Sequence, residues 1–106
     1  MNNSRRTVAS VRGEIVSAIA EVRAVAKTEG DKAREDASDW LDELLIDVDD
    51  RQGLREASAR GLSLYRGGMG SFQDAGSAAS AHAISRLRVA LRRGRSWFLR
   101  GGHRRP

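Results

Sequence analysis

The amino-acid sequence predicts an all-α protein, a compact bundle of about four helices with a glycine-rich loop between the third and the fourth. Apolar residues recur at spacings of three and four in four separate stretches, as on one face of an amphipathic helix. No stretch alternates with the period of two that a half-buried strand requires. The single proline is Pro106, so no proline interrupts a predicted helix. A chain of 106 residues forms one domain by size. We expect this domain over residues 1–99, followed by a flexible basic tail over 100–106.

The first two helices are predicted from two amphipathic stretches that Gly30 separates. The first stretch is rich in β-branched residues, so packing rather than intrinsic propensity must stabilise it. Its apolar stripe is Val8, Val11, Ile15, Ala18, Ile19, Val22, Val25 and Ala26. The stripe of the second helix, whose other faces are acidic, is Ala33, Ala37, Trp40, Leu41, Leu44, Leu45 and Val48. The first stripe could also pair with a second copy, which predicts a homodimer through the N-terminal helix as an alternative.

Helix three is predicted over residues 51–66, and helix four follows the glycine-rich loop. The aspartates of DVDD, residues 47–50, can cap helix three because a short carboxylate accepts hydrogen bonds from free N–H groups. A calcium loop is rejected there, since the distal bidentate glutamate is missing. The predicted inward positions are Leu54, Ala57, Gly61, Leu62 and Tyr65 in helix three, and Ala83, Ile84, Leu87, Leu91 and Phe98 in helix four.

The glycine-rich loop lies in LYRGGMGSFQDAG, residues 64–76. Gly67 stands where a left-handed C-terminal cap of helix three belongs, and Ser71 with Asp74 has the spacing of an N-terminal capping signature. A nucleotide-binding loop would need Lys-Ser or Lys-Thr after the glycines, or a preceding strand, and the sequence has neither. We therefore expect a structural loop made by Tyr65, Gly67, Gly68, Gly70, Ser71 and Asp74. The alternative is a binding loop that offers Tyr65, Met69 and Phe72 as contact area.

The same stretch, with DWLDELL ahead of it, resembles a family of small bacterial proteins of unknown function. Their signature is Gly-Gly-Met-Gly-Ser-Phe/Leu-Asn-Asp. The resemblance covers residues 33–76, and Gln73 stands where the family commonly has asparagine. Related small proteins occur near bacterial toxin–immunity and defence genes. The resemblance therefore implies an interaction protein, immunity- or antitoxin-like or related to defence, and implies no catalytic residues.

Charge is distributed unevenly along the chain, whose net charge is +5. Residues 29–56 carry eleven acidic and four basic groups, whereas residues 75–106 carry eight arginines and no acid. Two interpretations stay open. The acidic segment folds against the basic one, or the arginine surface binds an acidic partner such as phosphate backbone, anionic lipid or an acidic protein face.

Two binding functions of different classes follow. The leading prediction is a protein-interaction module whose partner-binding residues are Asp39, Asp42, Glu43, Asp47, Met69 and Phe72. The alternative is a nucleic-acid-binding protein that uses Arg86, Arg88, Arg92, Arg93, Arg95, Trp97 and Arg100. A membrane-surface variant would use the same basic helix and is the least favoured of the three.

Enzymatic activity, a metal site and a cofactor are not expected. Ser71 and Asp74 could not share a hydrogen bond with His82 if helix four began near Asp74, because eight helical residues span about 12 Å. Without cysteine, and with only His82 and His103 as histidines, the chain is a poor metal binder. The twin-arginine pattern SRRTV is followed by charged residues instead of an apolar run, so an export signal is rejected and a cytoplasmic location is expected.

Overall fold

The computed structural model describes residues 7–66 and 77–102, with side chains described over 7–65 and 77–96. Over these residues the chain forms α1 (Val8–Glu29), α2 (Lys32–Leu45), α3 (Arg51–Leu62), a 3-10 helix (Ser63–Arg66) and α4 (Ala78–Gly102). The predicted all-α fold with four helices is confirmed, and no strand occurs in the described part of the chain. α4 extends past Arg100, where we expected the basic tail to begin.

Each helix begins at a short polar side chain that accepts a hydrogen bond from the backbone N–H three residues on. The four N-caps are Thr7, Asp31, Asp50 and Ser77, with oxygen–nitrogen distances of 2.9, 3.1, 2.7 and 3.0 Å. The prediction that the DVDD aspartates cap helix three is confirmed by Asp50. Ser77 is the N-cap of α4. Ser71 and Asp74, which carry the predicted capping signature, lie outside the described residues.

Two helix ends are set by backbone geometry. Gly30 has φ 68°, in the left-handed region, and the Asp31 N–H reaches back to the Ala26 carbonyl at 2.8 Å. This arrangement closes α1 and turns the chain directly into α2. The helical segment that we predicted up to residue 66 changes character at Ser63, where the α-helix gives way to the 3-10 turn. Gly67, the predicted left-handed cap, lies outside the described residues.

α1 lies between α2 and α4, and α3 packs mainly on α4. α1 and α2 are antiparallel, because the side chain of Arg12 donates to the carbonyl of Leu45, far from the turn that joins the two helices. The core is a single cluster drawn from all four helices. Its members are Val11, Ile15, Ala18, Ile19, Val22, Ala37, Leu41, Leu45, Leu54, Ala57, Leu62, Leu64, Ala83, Ile84, Leu87, Ala90 and Leu91.

Over the residues whose side chains are described, the predicted apolar stripes match this core except at Ala33 and Trp40 of helix two, which are exposed. Trp40 was placed on the inward stripe of helix two, but 39% of its surface is exposed. The stripe of α1 that suggested a homodimer is largely buried against α2 and α4 within one chain. None of the helices in the described ranges is long and apolar enough to cross a lipid bilayer.

α3 and α4 approach closely because small residues face each other where they cross. Gly61 and Gly94 are both buried, and a β-carbon at position 61 would lie 3.0 Å from methyl groups of Leu41 and Leu91. A β-carbon at position 94 would overlap the hydroxyl of Ser58. The tight crossing fixes which side of α4 faces α3 and which side faces α1.

Candidate functional site

The acidic surface predicted on α2 is partly occupied by the neighbouring helix. Arg23 of α1 places its Nη2 atom 2.9 Å from Asp39 Oδ1 and 2.5 Å from Asp42 Oδ2. The hydrogen bond to Asp42, followed by the one to Asp39, raises the pKa of Arg23, although partial burial opposes this. Two of the four predicted acidic partner-binding residues therefore join α1 to α2.

The remaining acidic candidates, Glu43 and Asp47, are exposed and make no ion pair within the described ranges. Glu43 lies one turn from Trp40, and Asp36 lies one turn from it on the other side, so the three residues line up along α2. Asp36 pairs with Lys32 at 3.0 Å, and both side chains are well exposed.

The exposed indole of Trp40 borders a shallow groove of about 310 Å³. Among the described residues, the groove is also lined by Asp36 and Ala37 of α2 and by Leu64 of the 3-10 helix. Sequence reasoning assigned Trp40 to the core because it continues the apolar spacing of helix two. The spacing shows which face is apolar, but it does not show where the neighbouring helix stops covering that face.

The arginines of α4 whose side chains are described divide into two groups by position and partner. The first group faces α1, where Arg86 Nη1 lies 2.6 Å from Glu21 Oε1 and Arg93 Nη1 lies 2.8 Å from Glu14 Oε1. These pairs bear on the interpretation that the acidic segment folds against the basic helix, whereas binding of an acidic partner by the arginine surface stays a prediction. The basic helix pairs with the acids of α1 instead of those of α2.

The second group, which consists of Arg88, Arg92 and Arg95, lies on the side of α4 that faces away from α1. Arg88 lies with its guanidinium carbon 5.7 Å from the centre of the Tyr65 ring, so this side of α4 borders the 3-10 helix. Arg92 and Arg95 follow at four and seven residues from Arg88 and are exposed. None of these three arginines makes an ion pair in the part of the chain that the structure describes.

Tyr65 anchors the chain ahead of the glycine-rich segment. Its hydroxyl donates to the carbonyl oxygen of Ile84 at 2.8 Å, and burial of the ring raises the pKa of the phenol while the nearby Arg88 lowers it. Tyr65 thus joins the 3-10 helix to α4, while its predicted part in the structural loop stays a prediction, because residues 67–76 lie outside the described ranges.

Several predicted residues fall outside what the structure describes. Met69 and Phe72, the loop residues assigned to partner binding, belong to this set, as do Gly67, Gly68, Gly70, Ser71 and Asp74. Trp97 and Arg100 lie in α4, but their side chains are not described. Their assigned roles stay predictions.

One buried charge escaped sequence reasoning. Arg34 is 5% exposed, and its Nη1 atom lies 2.6 Å from Asp31 Oδ2. The signal was present, because Arg34, Ala37 and Leu41 share one face of α2 at helical spacing. The charge of the residue, which is rarely buried unless paired, argued against placing it inside.

A second groove, of about 470 Å³, lies between α1 and α4. It is lined by Glu14, His82, Ser85, Arg86, Val89, Ala90 and Arg93. Among the described residues, no group of three or more histidine, aspartate or glutamate side chains could hold a metal ion. The groove presents two internally paired arginines around an exposed valine.

Comparison with known proteins adds no relative. The chain matches no family model, no curated protein and no solved structure at a significant level. The resemblance of residues 33–76 to the family with the Gly-Gly-Met-Gly-Ser signature stays a prediction.

Proposed function

We propose that the protein is a non-enzymatic protein-interaction module that binds a basic partner through the Trp40 patch, which we define as Asp36, Ala37, Trp40, Glu43 and Leu64. The observation that carries this proposal is the exposure of 39% of the Trp40 surface. Tryptophan is enriched among the residues that dominate binding energy at protein interfaces. An indole at the edge of a groove gives a partner a large apolar contact.

The charge around Trp40 sets the chemistry of the partner. Asp36 and Glu43 flank the indole along α2, and Glu43 has no ion pair within the described ranges. The Lys32–Asp36 pair is well exposed, so water and salt weaken it and a partner cation can replace it. A lysine- or arginine-bearing surface with one apolar side chain for the groove would complement the patch.

The distribution of ion pairs narrows the acidic surface predicted from sequence. Asp39 and Asp42 are held by Arg23, whereas Glu43 and Asp47 are not paired with a described residue. We therefore move the centre of the proposed interface from Asp39 and Asp42 towards Trp40 and Glu43. The resemblance of residues 33–76 supports an immunity-like, antitoxin-like or defence-related role. We place this role in the cytoplasm because charged residues follow SRRTV where an export signal would have an apolar run.

The proposal is tested by a pull-down with the tagged full chain from nuclease-treated native lysate, washed at low and high salt. We expect a stoichiometric protein on the wild type and its loss with Trp40→Ala, because truncating such an anchor typically costs about 2 kcal/mol or more of binding free energy. Glu43→Lys is expected to weaken the same complex by charge reversal.

Glu56→Lys is the matched control, since Glu56 is an exposed acid on α3 and the charge change is the same. Circular dichroism would establish that each variant is folded. Equal retention of the partner by wild type, Trp40→Ala and Glu43→Lys would refute the Trp40 patch as the interface. Loss with all three variants would show an effect of net charge or folding instead.

A further inference from the structure

We propose that Arg88, Arg92 and Arg95 form a second binding surface, the arginine edge, that takes the phosphodiester backbone of a nucleic acid. This surface lies on another helix than the Trp40 patch and uses none of its residues. The inference goes beyond the protein-interaction function and does not depend on it.

The first step is the division of the α4 arginines by partner. Arg86 and Arg93 each contact a glutamate of α1, so their charges are offset locally. No described carboxylate pairs with the arginine edge, whose described contact is the stacking of Arg88 over Tyr65. Stacking leaves the guanidinium N–H groups at the ring edge available to an anion.

The second step is the arrangement of the three charges. At 3.6 residues per turn, positions 88, 92 and 95 fall within about 60° of the helix circumference and span about 10 Å along the axis. They form a row with about one helical turn between neighbours. Arginine binds phosphate through two parallel N–H groups, and a row of such groups suits a chain of phosphates better than a single small anion.

The third step is the lack of opposing charge along the same helix. From residue 75 to residue 106 the sequence contains no aspartate or glutamate. A polyanion that lies along α4 would therefore meet no carboxylate of that helix. Phosphate contacts of this kind position a nucleic acid without reading its sequence, so we expect affinity with little sequence preference.

A lipid surface fits the arginine edge less well. A helix that lies in a membrane interface inserts an apolar stripe beside its basic residues. The exposed large hydrophobic residues of the described chain are Trp40, Ile46 and Val89, and none of them belongs to the arginine edge. Val89 lines the groove on the α1 side of α4, together with Arg86 and Arg93.

The experiment is fluorescence anisotropy of a labelled single-stranded oligonucleotide and of a labelled duplex with the full chain, over a salt series. The test variant is Arg92→Gln with Arg95→Gln. The control is Arg86→Gln with Arg93→Gln, which removes the same charge from the same helix on its α1 side. Circular dichroism melts would show that both variants fold.

We expect the wild type to bind with affinity that falls steeply with salt. Loss of two phosphate contacts predicts a salt slope that is shallower by about 1.4 to 1.8, and an affinity about 25- to 60-fold lower near 0.1 M salt. We expect the control variant to change much less, because Glu14 and Glu21 already offset the charges that it removes.

In the anisotropy experiment, three outcomes would overturn the inference. They are equal losses in the two double variants, flat salt dependence, or the absence of binding to either oligonucleotide. A separate experiment measures binding of the full chain to phosphatidylserine vesicles by sedimentation. Vesicle binding that exceeds oligonucleotide binding would also overturn it and would assign the edge to a lipid surface.

Discussion

Gly94 of α4 packs directly against Ser58 of α3, so closely that a β-carbon at position 94 would overlap the Ser58 hydroxyl oxygen. The same β-carbon would lie 3.1 Å from the Cδ1 methyl of Ile15 on α1. Ser58 is fully buried, and its hydroxyl oxygen has no hydrogen-bond partner among the described residues. The contact thus joins three helices at a point where the structure tolerates little added volume.

The first prediction is that Gly94→Ala lowers the free energy of unfolding by about 1–3 kcal/mol, because overpacking a dense core shifts side chains and backbone. Ser58→Ala alone should be neutral or stabilising, since it removes a buried polar atom that lacks a partner. Added to Gly94→Ala, it should restore most of the loss. Urea denaturation measures all three variants.

Gly13→Ala is the control, because a β-carbon at Gly13 meets nothing within 4 Å and the residue lies on the exposed face of α1. There the gain in helix propensity acts alone and should stabilise the chain by about 0.5–1 kcal/mol. Equal changes in the free energy of unfolding for Gly13→Ala and Gly94→Ala would show that the α3–α4 crossing can accommodate an added methyl group.

The second prediction concerns the turn between α1 and α2. Gly30→Ala should destabilise the protein by about 1–2 kcal/mol, because φ 68° places a β-carbon too close to the carbonyl that follows. Gly30→Asn should cost less, since asparagine visits the left-handed region more readily. Thermal unfolding would compare the two, and identical midpoints for alanine and asparagine would contradict the assignment.

The third prediction is a loss of stability at alkaline pH that arises from Tyr65. Burial raises the pKa of this phenol above its ordinary value of about 10. Above pH 10 the unfolded chain therefore gives up the proton more readily than the folded chain, so stability is complete below that pH and falls as the pH rises.

Because Tyr65 is the single tyrosine of the chain, the absorbance of tyrosinate reports on it alone. In the folded protein this signal should appear above pH 10, and in denaturant it should appear near pH 10. Tyr65→Phe should be less stable at neutral pH, since it loses the hydrogen bond to Ile84, and should show a flatter alkaline profile. If tyrosinate formed near pH 10 in the folded protein, as it does in denaturant, the burial of the phenol would be refuted.

The fourth prediction separates the two roles of Asp31. Its carboxylate caps α2 and also pairs with buried Arg34. Asp31→Asn keeps a good cap but removes the charge next to Arg34, and should cost about 1.5–3 kcal/mol of stability. Asp31→Ala loses the cap as well and should cost about 1 kcal/mol more.

Asp36→Asn tests an exposed pair on the same helix and should leave the unfolding midpoint unchanged. Chemical denaturation of the three variants provides the measurement. If Asp31→Asn were as harmless as Asp36→Asn, burial of the Arg34–Asp31 pair would contribute nothing to the fold.

The four helices were predictable because local rules define them. The spacing of apolar residues located each stripe, and Gly30 indicated the break between α1 and α2. The aspartates before α3 predicted where that helix begins. The N-cap of α4 could not be assigned from the sequence, because Ser71 and Ser77 are both acceptable N-caps and local sequence does not choose between them.

The candidate surfaces were less predictable, because they depend on pairings between distant parts of the chain. Whether Arg86 is offset by a charge depends on Glu21, which lies 65 residues away. From the sequence, Asp39 and Asp42 were expected to form an exposed acidic surface. In the structure, both pair with Arg23 of α1. The exposure of Trp40 was equally unpredictable, because it depends on where the neighbouring elements end and not on the local spacing of apolar residues.

The central position of α1 has a consequence for the order of folding. Its contacts with α2 are local and can form as soon as both helices have been synthesised. Its ion pairs with α4 join residues that are separated by 65 and 79 positions in the sequence. The side of the α1 apolar stripe that packs on α4 can therefore be buried only after α4 has been synthesised. We therefore expect the α1–α2 hairpin to expose a hydrophobic surface until α4 has been synthesised, and slow synthesis of α4 to favour aggregation of the nascent chain.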